Sequence, residues 1–239
     1  MNLKRALRKF LLKRGYDFSR ISPHSHPLAR RRQILDEARI NLVLDVGANT
    51  GQYARQLRRE IGYTGRILSF EPQEVAFRTL QANAEGDGAW GVFHLGLGDV
   101  ETTMEINVAG NSYSSSFLEM LPAHLASAPE SRYVGRETIQ VRTLDALFPS
   151  LCRPGDQVYL KMDTQGFESR VLRGAEGSLD RIAIIQMELS LVPLYEGEML
   201  FHQMCAHMKS KGFHLVAIEP GFCDPASGEL LQVDGIFRR

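Results

Sequence analysis

Apolar positions along the chain change period several times, and each change predicts an element. Near the amino terminus Leu3, Leu7, Phe10 and Leu11 recur at helical spacing, with Lys4, Arg5, Arg8, Lys9 and Lys13 filling most of the remaining surface. That spacing predicts an amphipathic basic helix. From Asn41 onward short apolar runs alternate with helical stretches, the pattern of a parallel sheet with crossover helices. Strands are predicted over 42–46, 66–70, 92–95, 157–162 and 182–187, and helices over 52–60, 73–84, 168–173 and 198–211, with Gly174 and Gly212 as stops. Two further runs, 213–218 and 231–237, flank a turn bearing Pro and Gly and predict a terminal hairpin. Between 101 and 156 the rhythm breaks. There 103–108 and 138–141 alternate like strands around the Ser-rich stretch 111–116, which predicts a β-rich insertion beside the carboxyl edge of the sheet. The expected organisation is a basic helical extension and linker over 1–39, followed by one α/β domain over 40–239.

Length and charge sharpen this picture. A chain of 239 residues with 44% hydrophobic and 23% charged positions suits one large soluble domain rather than a disulfide-stapled miniprotein. The 28 basic and 28 acidic residues cancel, yet residues 1–39 hold eleven basic and three acidic side chains, leaving 17 and 25 for the remainder. The acidic body argues against a nucleic-acid partner. The basic front suits either peripheral contact with an anionic membrane through residues 1–14 or packing on the flank of the domain, and both readings stay open. Cys152, Cys205 and Cys223 are odd in number and widely spaced, which predicts a reducing compartment and no structural zinc. With no apolar run of membrane-spanning length and no leader pattern, a cytoplasmic place is expected, with docking at the inner membrane face as an extension of it.

The chemistry concentrates at predicted strand ends. In LVLDVGANTGQYA an apolar strand delivers Asp45 and then Gly47, Asn49 and Gly51, glycines that let a ligand approach the backbone at the start of the next helix. The spacing is neither the dinucleotide GxGxxG nor a P-loop. A carboxylate just before the glycines repels a pyrophosphate and suits a cationic amino-acid group, which S-adenosylmethionine has and NAD lacks. Glu71, twenty-four residues after Gly47 in ILSFEP, is placed to accept both ribose hydroxyls of an adenosyl ligand, and Asp99 in GLGD to accept from the adenine amino group. Asp163, ending the fourth strand in YLKMDTQGFESRVLRGA, is either a helix cap or a group beside the reacting centre. Glu188 in IQMELS neighbours it by strand order; together they offer a general base or a site for a divalent ion such as Mg²⁺. The segment Asp163-Thr164-Gln165-Gly166 lacks the Asn/Asp-Pro-Pro-Tyr/Phe run of nucleobase amino methylation, so a hydroxyl acceptor is expected.

Taken in order, LDVGANTGQYA, SFEP, GLGD, NSYSSSF, RTLDAL, LKMDTQGFESRVLRGA and MELS resemble the FkbM family of S-adenosylmethionine-dependent methyltransferases, over about Leu42 to Phe237. The resemblance implies a Rossmann-like class I methyltransferase fold of seven strands, mostly parallel with one antiparallel. It also implies O-methylation of a sugar, as in a glycolipid or polysaccharide, or of a polyketide-type product. It assigns Asp45, Gly47, Asn49, Gly51, Glu71 and Asp99 to the cofactor, and marks Ser115 and Ser116 as a paired-serine turn with substrate contact as its candidate role. Two other classes are weighed beside it: a nicotinamide-dependent oxidoreductase, disfavoured by Asp45 and a missing third glycine, and a non-catalytic membrane-docking adaptor of the same fold. The first forty residues lie outside the resemblance.

Overall fold

A computed structural model describes residues 3–16 and 20–239. Its centre is a seven-stranded sheet built from β1 (Leu42–Val46), β2 (Arg66–Phe70), β3 (Trp90–Phe93), β7 (Val158–Met162), β8 (Ile182–Ser190), β9 (His214–Pro220) and β10 (Gln232–Arg238), in the order β3-β2-β1-β7-β8-β10-β9. All pairings are parallel except those of β10, which runs antiparallel to both β8 and β9. The fold is a mostly parallel, doubly wound α/β sheet of seven strands, as expected, and the order reverses between β1 and β7, where such sheets open a crevice.

The strands are apolar because both faces of the sheet are covered. Leu42, Leu44 and Val46 face one core layer together with Leu160, Met162 and Phe167. Val43, Ile67, Tyr159 and Ile184 face the other, beneath α3 (Gln52–Gln56) and its π-helical continuation Leu57–Ile61. The remaining helices are α1 (Leu3–Leu12), α2 (Pro27–Glu37), α4 (Glu74–Ala84), α5 (Pro122–Ser127), α6 (Leu144–Leu151), α7 (Glu168–Arg173) and α8 (Phe201–Ser210). Among the described residues no helix is long and apolar enough to cross a membrane.

The insertion is β-rich as expected. β5 (Thr102–Ala109) and β6 (Tyr133–Arg142) pair antiparallel, and β4 (Gly96–Leu97) joins β6 in parallel to complete a three-stranded second sheet. This corrects the reading of GLGD as the tip of the third strand. β3 ends at Phe93, the chain leaves the main sheet, and Gly98 donates its N–H to Arg142 O at 3.0 Å.

The front of the chain also differs from a simple extension. His26 Nδ1 accepts the Leu28 N–H at 3.3 Å and Pro27 occupies the first turn, so a second helix, α2, starts inside the 1–39 extension and linker. α2 places Leu35 in the core and inserts Arg31 against Glu219 of β9. In the amphipathic pattern read over residues 1–14, Met1, Asn2 and the side chains of Leu3 and Lys4 lie outside the described residues. Leu7 and Phe10 of α1 are 56% and 52% exposed.

Candidate functional site

The ends of β1, β2, β7 and β8 open into a cavity of about 460 Å³, inside the range of small-molecule sites. Gly47, Asn49, Glu71, Ser115, Ser116, Asp163 and Glu188 line it.

The Gly-rich turn is shaped by close approach. Gly47 has φ +72°, and a β-carbon there would sit 1.9 Å from the carbonyl oxygen of Asp163. Asn49, also at positive φ, locks the turn: its N–H donates to Glu71 Oε2 at 2.7 Å and its side-chain amide to Ser112 O at 2.9 Å. Gly51 shapes this turn without lining the cavity, since at φ +85° it packs on Trp90 and Leu80.

Glu71 is buried, with Oε1 accepting the Gln73 N–H at 2.8 Å. Each carboxylate oxygen therefore has one backbone donor and one further lone pair for a ligand. Burial raises its pKa to about 7 against the pull of those two N–H donors.

The other half of the cavity is held by side chains. Asp163, with a 40% exposed side chain, accepts Gln165 Nε2 at 2.8 Å. The same nitrogen donates to Glu188 Oε2 at 2.8 Å, and Gln232 Nε2 adds a second donor to that oxygen at 2.9 Å. Tyr195 donates its hydroxyl to Gln165 Oε1 at 2.6 Å, which fixes which end of the amide faces the carboxylates. Burial, then Asp163, raises the Glu188 pKa well above the ordinary carboxylate value. Asp234, beside Glu188 in the β8–β10 register, is pushed up to about 6, mainly by burial.

Where the sequence offered a divalent-ion site between Asp163 and Glu188, the neutral carboxamide of Gln165 bridges them. Among the described residues no group of three or more His, Cys, Asp or Glu side chains forms a metal cage. The donor set does not fit a resident Mg²⁺, because the amide hydrogens occupy the gap. Nor does Asp163 cap α7. Glu168 does the local tethering, accepting both the N–H and the hydroxyl of Thr164 at 2.7 and 2.9 Å.

Two residues expected at the cofactor do not line the cavity. Asp99 does not line the cavity: the chain has already entered β4, and its carboxylate pairs with Arg170 at 3.0 Å and Arg173 at 3.2 Å on α7. Asp45 is fully buried below the cavity floor, where Ser69 donates to it at 3.1 Å and Lys161 Nζ lies 3.3 Å away. The cation beside it is this lysine. The paired serines line the cavity but brace it. Ser116 donates to Gln165 O at 2.7 Å and accepts the Leu118 N–H, while Ser115 accepts the Ala109 N–H.

Lys161 was missed by sequence reading. With Ser69, Asp45 and Gln186 it forms a polar row in register across β2, β1, β7 and β8. Burial works against its charge, yet Asp45 and Asp163, 3.5 Å away, outweigh that and raise its pKa. Gln186 Oε1 accepts from Tyr53 and Tyr159 at 2.9 and 2.6 Å, and its amide donates to Asp234 at 3.1 Å. The available signal was a Lys and a Gln each interrupting an otherwise apolar parallel strand.

Comparison with known proteins bears on this cleft. Residues 45–215 match the model of the methyltransferase FkbM domain. A methyltransferase FkbM from Methylobacillus flagellatus is similar at 15% identity and a TM-score of 0.49, covering 82% of this chain and 43% of its own. The chain thus spans less than half the length of that protein. An uncharacterized Listeria monocytogenes protein is similar at 7% identity and TM-score 0.48, covering 90% of this chain and 67% of that one. An rRNA methylase from Streptococcus thermophilus is similar at 10% identity and TM-score 0.46, covering 92% and 99%. No curated protein matches.

Proposed function

This chain belongs to the FkbM methyltransferase family, and we propose that its cleft transfers a methyl group from S-adenosylmethionine to a hydroxyl of a sugar or polyketide-type acceptor. The observation that carries the reading is the placement of two unlike carboxylate sites in one cavity. Glu71 directly follows β2 and Asp163 directly follows β7, while Glu188 lies within β8. With β1 between β2 and β7, two strand spacings put Glu71 and Asp163 roughly 10 Å apart.

The residues fit an adenosyl cofactor. The positive-φ Gly47 lets the turn pass close against the Asp163 backbone, and the free lone pairs of Glu71 match a ribose diol. S-adenosylmethionine bound here supplies a sulfonium methyl open to attack by an oxygen nucleophile. Asp163, exposed to the cavity and steadied by Gln165, accepts the acceptor's proton as that oxygen is brought into line. Glu188, held by two carboxamides and shifted toward its neutral form, keeps a second negative charge from crowding that base. Labelled S-adenosylmethionine incubated with the protein and a lipid-plus-glycan extract of its source cell tests this directly: label is expected in alkali-stable methyl ethers. Label in amines or nucleic acid alone contradicts the reading.

A glycolipid acceptor would agree with α1, whose exposed Leu7 and Phe10 sit among basic residues and suit the surface of an anionic membrane. Because α2 packs into the core, the informative truncation removes residues 1–16 only. The expected result is loss of sedimentation with anionic vesicles while turnover on a soluble acceptor persists. Unchanged sedimentation removes α1 from this role.

A further inference from the structure

A second cavity, of about 220 Å³, adjoins the first, and Tyr113, Gln165 and Glu188 line both spaces. At ~30 Å³ per water it holds about seven waters, the room of a single small ring. His124 of α5 lines it, and this imidazole is only 3% exposed, edge-on to Tyr195 and tilted against Phe222, with centroids 5.1 and 5.3 Å away. Its buried Nδ1 has no hydrogen-bond partner among the described residues. A buried polar atom without a partner is uncommon in a folded protein and carries a penalty that a ligand group can relieve.

The rest of the lining narrows the chemistry. Asn111 and Ser114, linked by their own hydrogen bonds at 3.1 Å, supply neutral donors and acceptors, and Phe222 supplies an aromatic ring. No Lys or Arg lines the space among the described residues, while Glu130 and Glu188 do, which disfavours phosphorylated or carboxylate ligands. Burial also holds the imidazole neutral, pushing its pKa down to about 4 against the pull of Glu130.

We propose that this second cavity is the acceptor subsite, that it takes one neutral polyhydroxylated ring, and that His124 Nδ1 bonds a ring hydroxyl while Phe222 covers an apolar face. The inference rests on the methyl-transfer reading for its purpose but not for its binding chemistry. Because Tyr113, Gln165 and Glu188 line both spaces, a ring seated here abuts the cavity lined by Asp163. Binding needs no covalent step in this subsite. The hydroxyl proton leaves only when the oxygen attacks the methyl group, passing to Asp163 as the carbon–sulfur bond breaks.

The test uses the full chain and saturation-transfer NMR with a panel of methyl hexopyranosides and methyl 6-deoxyhexopyranosides, with and without S-adenosylmethionine. At least one glycoside is expected to receive saturation. His124→Phe, which keeps an aromatic ring between Tyr195 and Phe222 but removes Nδ1, is expected to weaken that binding at least tenfold with S-adenosylmethionine affinity unchanged within twofold. Phe222→Leu, on a partly exposed loop, is the second variant and should weaken it at least threefold. Silence across the panel, equal binding by wild type and both variants, or preferential binding of amino or phosphorylated glycosides overturns the subsite. Glycoside binding without any S-adenosylmethionine binding would instead overturn the methyl-transfer reading and leave the subsite standing.

Discussion

The two halves of the cleft hold their carboxylates by different means. Glu71 is fixed by backbone N–H groups from Asn49 and Gln73, donors that the turn geometry itself positions. Asp163 and Glu188 are fixed by the side-chain amides of Gln165 and Gln232, donors that substitution can remove. A backbone-held acceptor suits a group that must present the same face to a constant cofactor. A side-chain-held pair can be tuned in charge and position, which suits proton transfer to a variable acceptor.

The comparison is broken most severely by removing the charge at Asp163. Asp163→Asn should lower turnover by about 10²-fold or more while S-adenosylmethionine affinity stays within threefold, read by steady-state kinetics beside calorimetry. Wild-type turnover would leave Asp163 a passive wall. Gln165→Leu withdraws the bridge, so no amide stands between Asp163 and Glu188, and Glu188 keeps only the Gln232 donor and Asp163 only the nearby Lys161. About tenfold lower turnover and an acid limb of the pH–rate profile moved upward are expected. A profile identical to wild type would show that the bridge has no part in setting the base.

The Glu71 half answers to pH differently. Its pKa is raised to about 7 from the usual 4.5, so across that interval the folded protein without ligand holds a proton that the unfolded chain has released. Stability of that form should therefore fall as pH rises from about 4.5 to 7 and then level. Ribose hydroxyls favour the ionised carboxylate, so S-adenosylmethionine affinity should rise up to about tenfold from pH 6 to pH 8, with proton release on binding near pH 7. Glu71→Gln should flatten that dependence, and a slope that survives the substitution must come from elsewhere. The smallest effect is expected at Asp99. Asp99→Ala should cost below about 1 kcal/mol in thermal unfolding, because its arginine partners are solvent-exposed, and should leave cofactor affinity within twofold.

What could be read from the chain follows the same division. Glu71 was legible because a strand end followed by Pro72 fixes where a side chain emerges, and the parallel sheet followed from apolar runs alternating with helices. Asp99 misled because GLGD looks like another strand end, whereas β4 departs to pair with β6, a contact over forty residues apart in sequence. Lys161 and Gln186 were hidden inside apolar strands, their purpose visible only once register aligned them with Asp45 and Ser69. Gln165 depends on a turn with φ +54° and on Tyr195 and Glu188 from distant segments, and no local pattern announces such a bridge. α2 was not distinguished within the basic extension and linker of residues 1–39, because its basic residues masked Leu35 and Arg31 finds its acid only on β9.

Calorimetry of the full chain against S-adenosylmethionine and NAD tests the central claim most directly. Micromolar binding of S-adenosylmethionine is expected, weakened about 5- to 150-fold in Glu71→Ala, an equivalent of roughly 1 to 3 kcal/mol, with no binding of NAD. Micromolar binding of NAD with none of S-adenosylmethionine, or an affinity indifferent to Glu71, would contradict it.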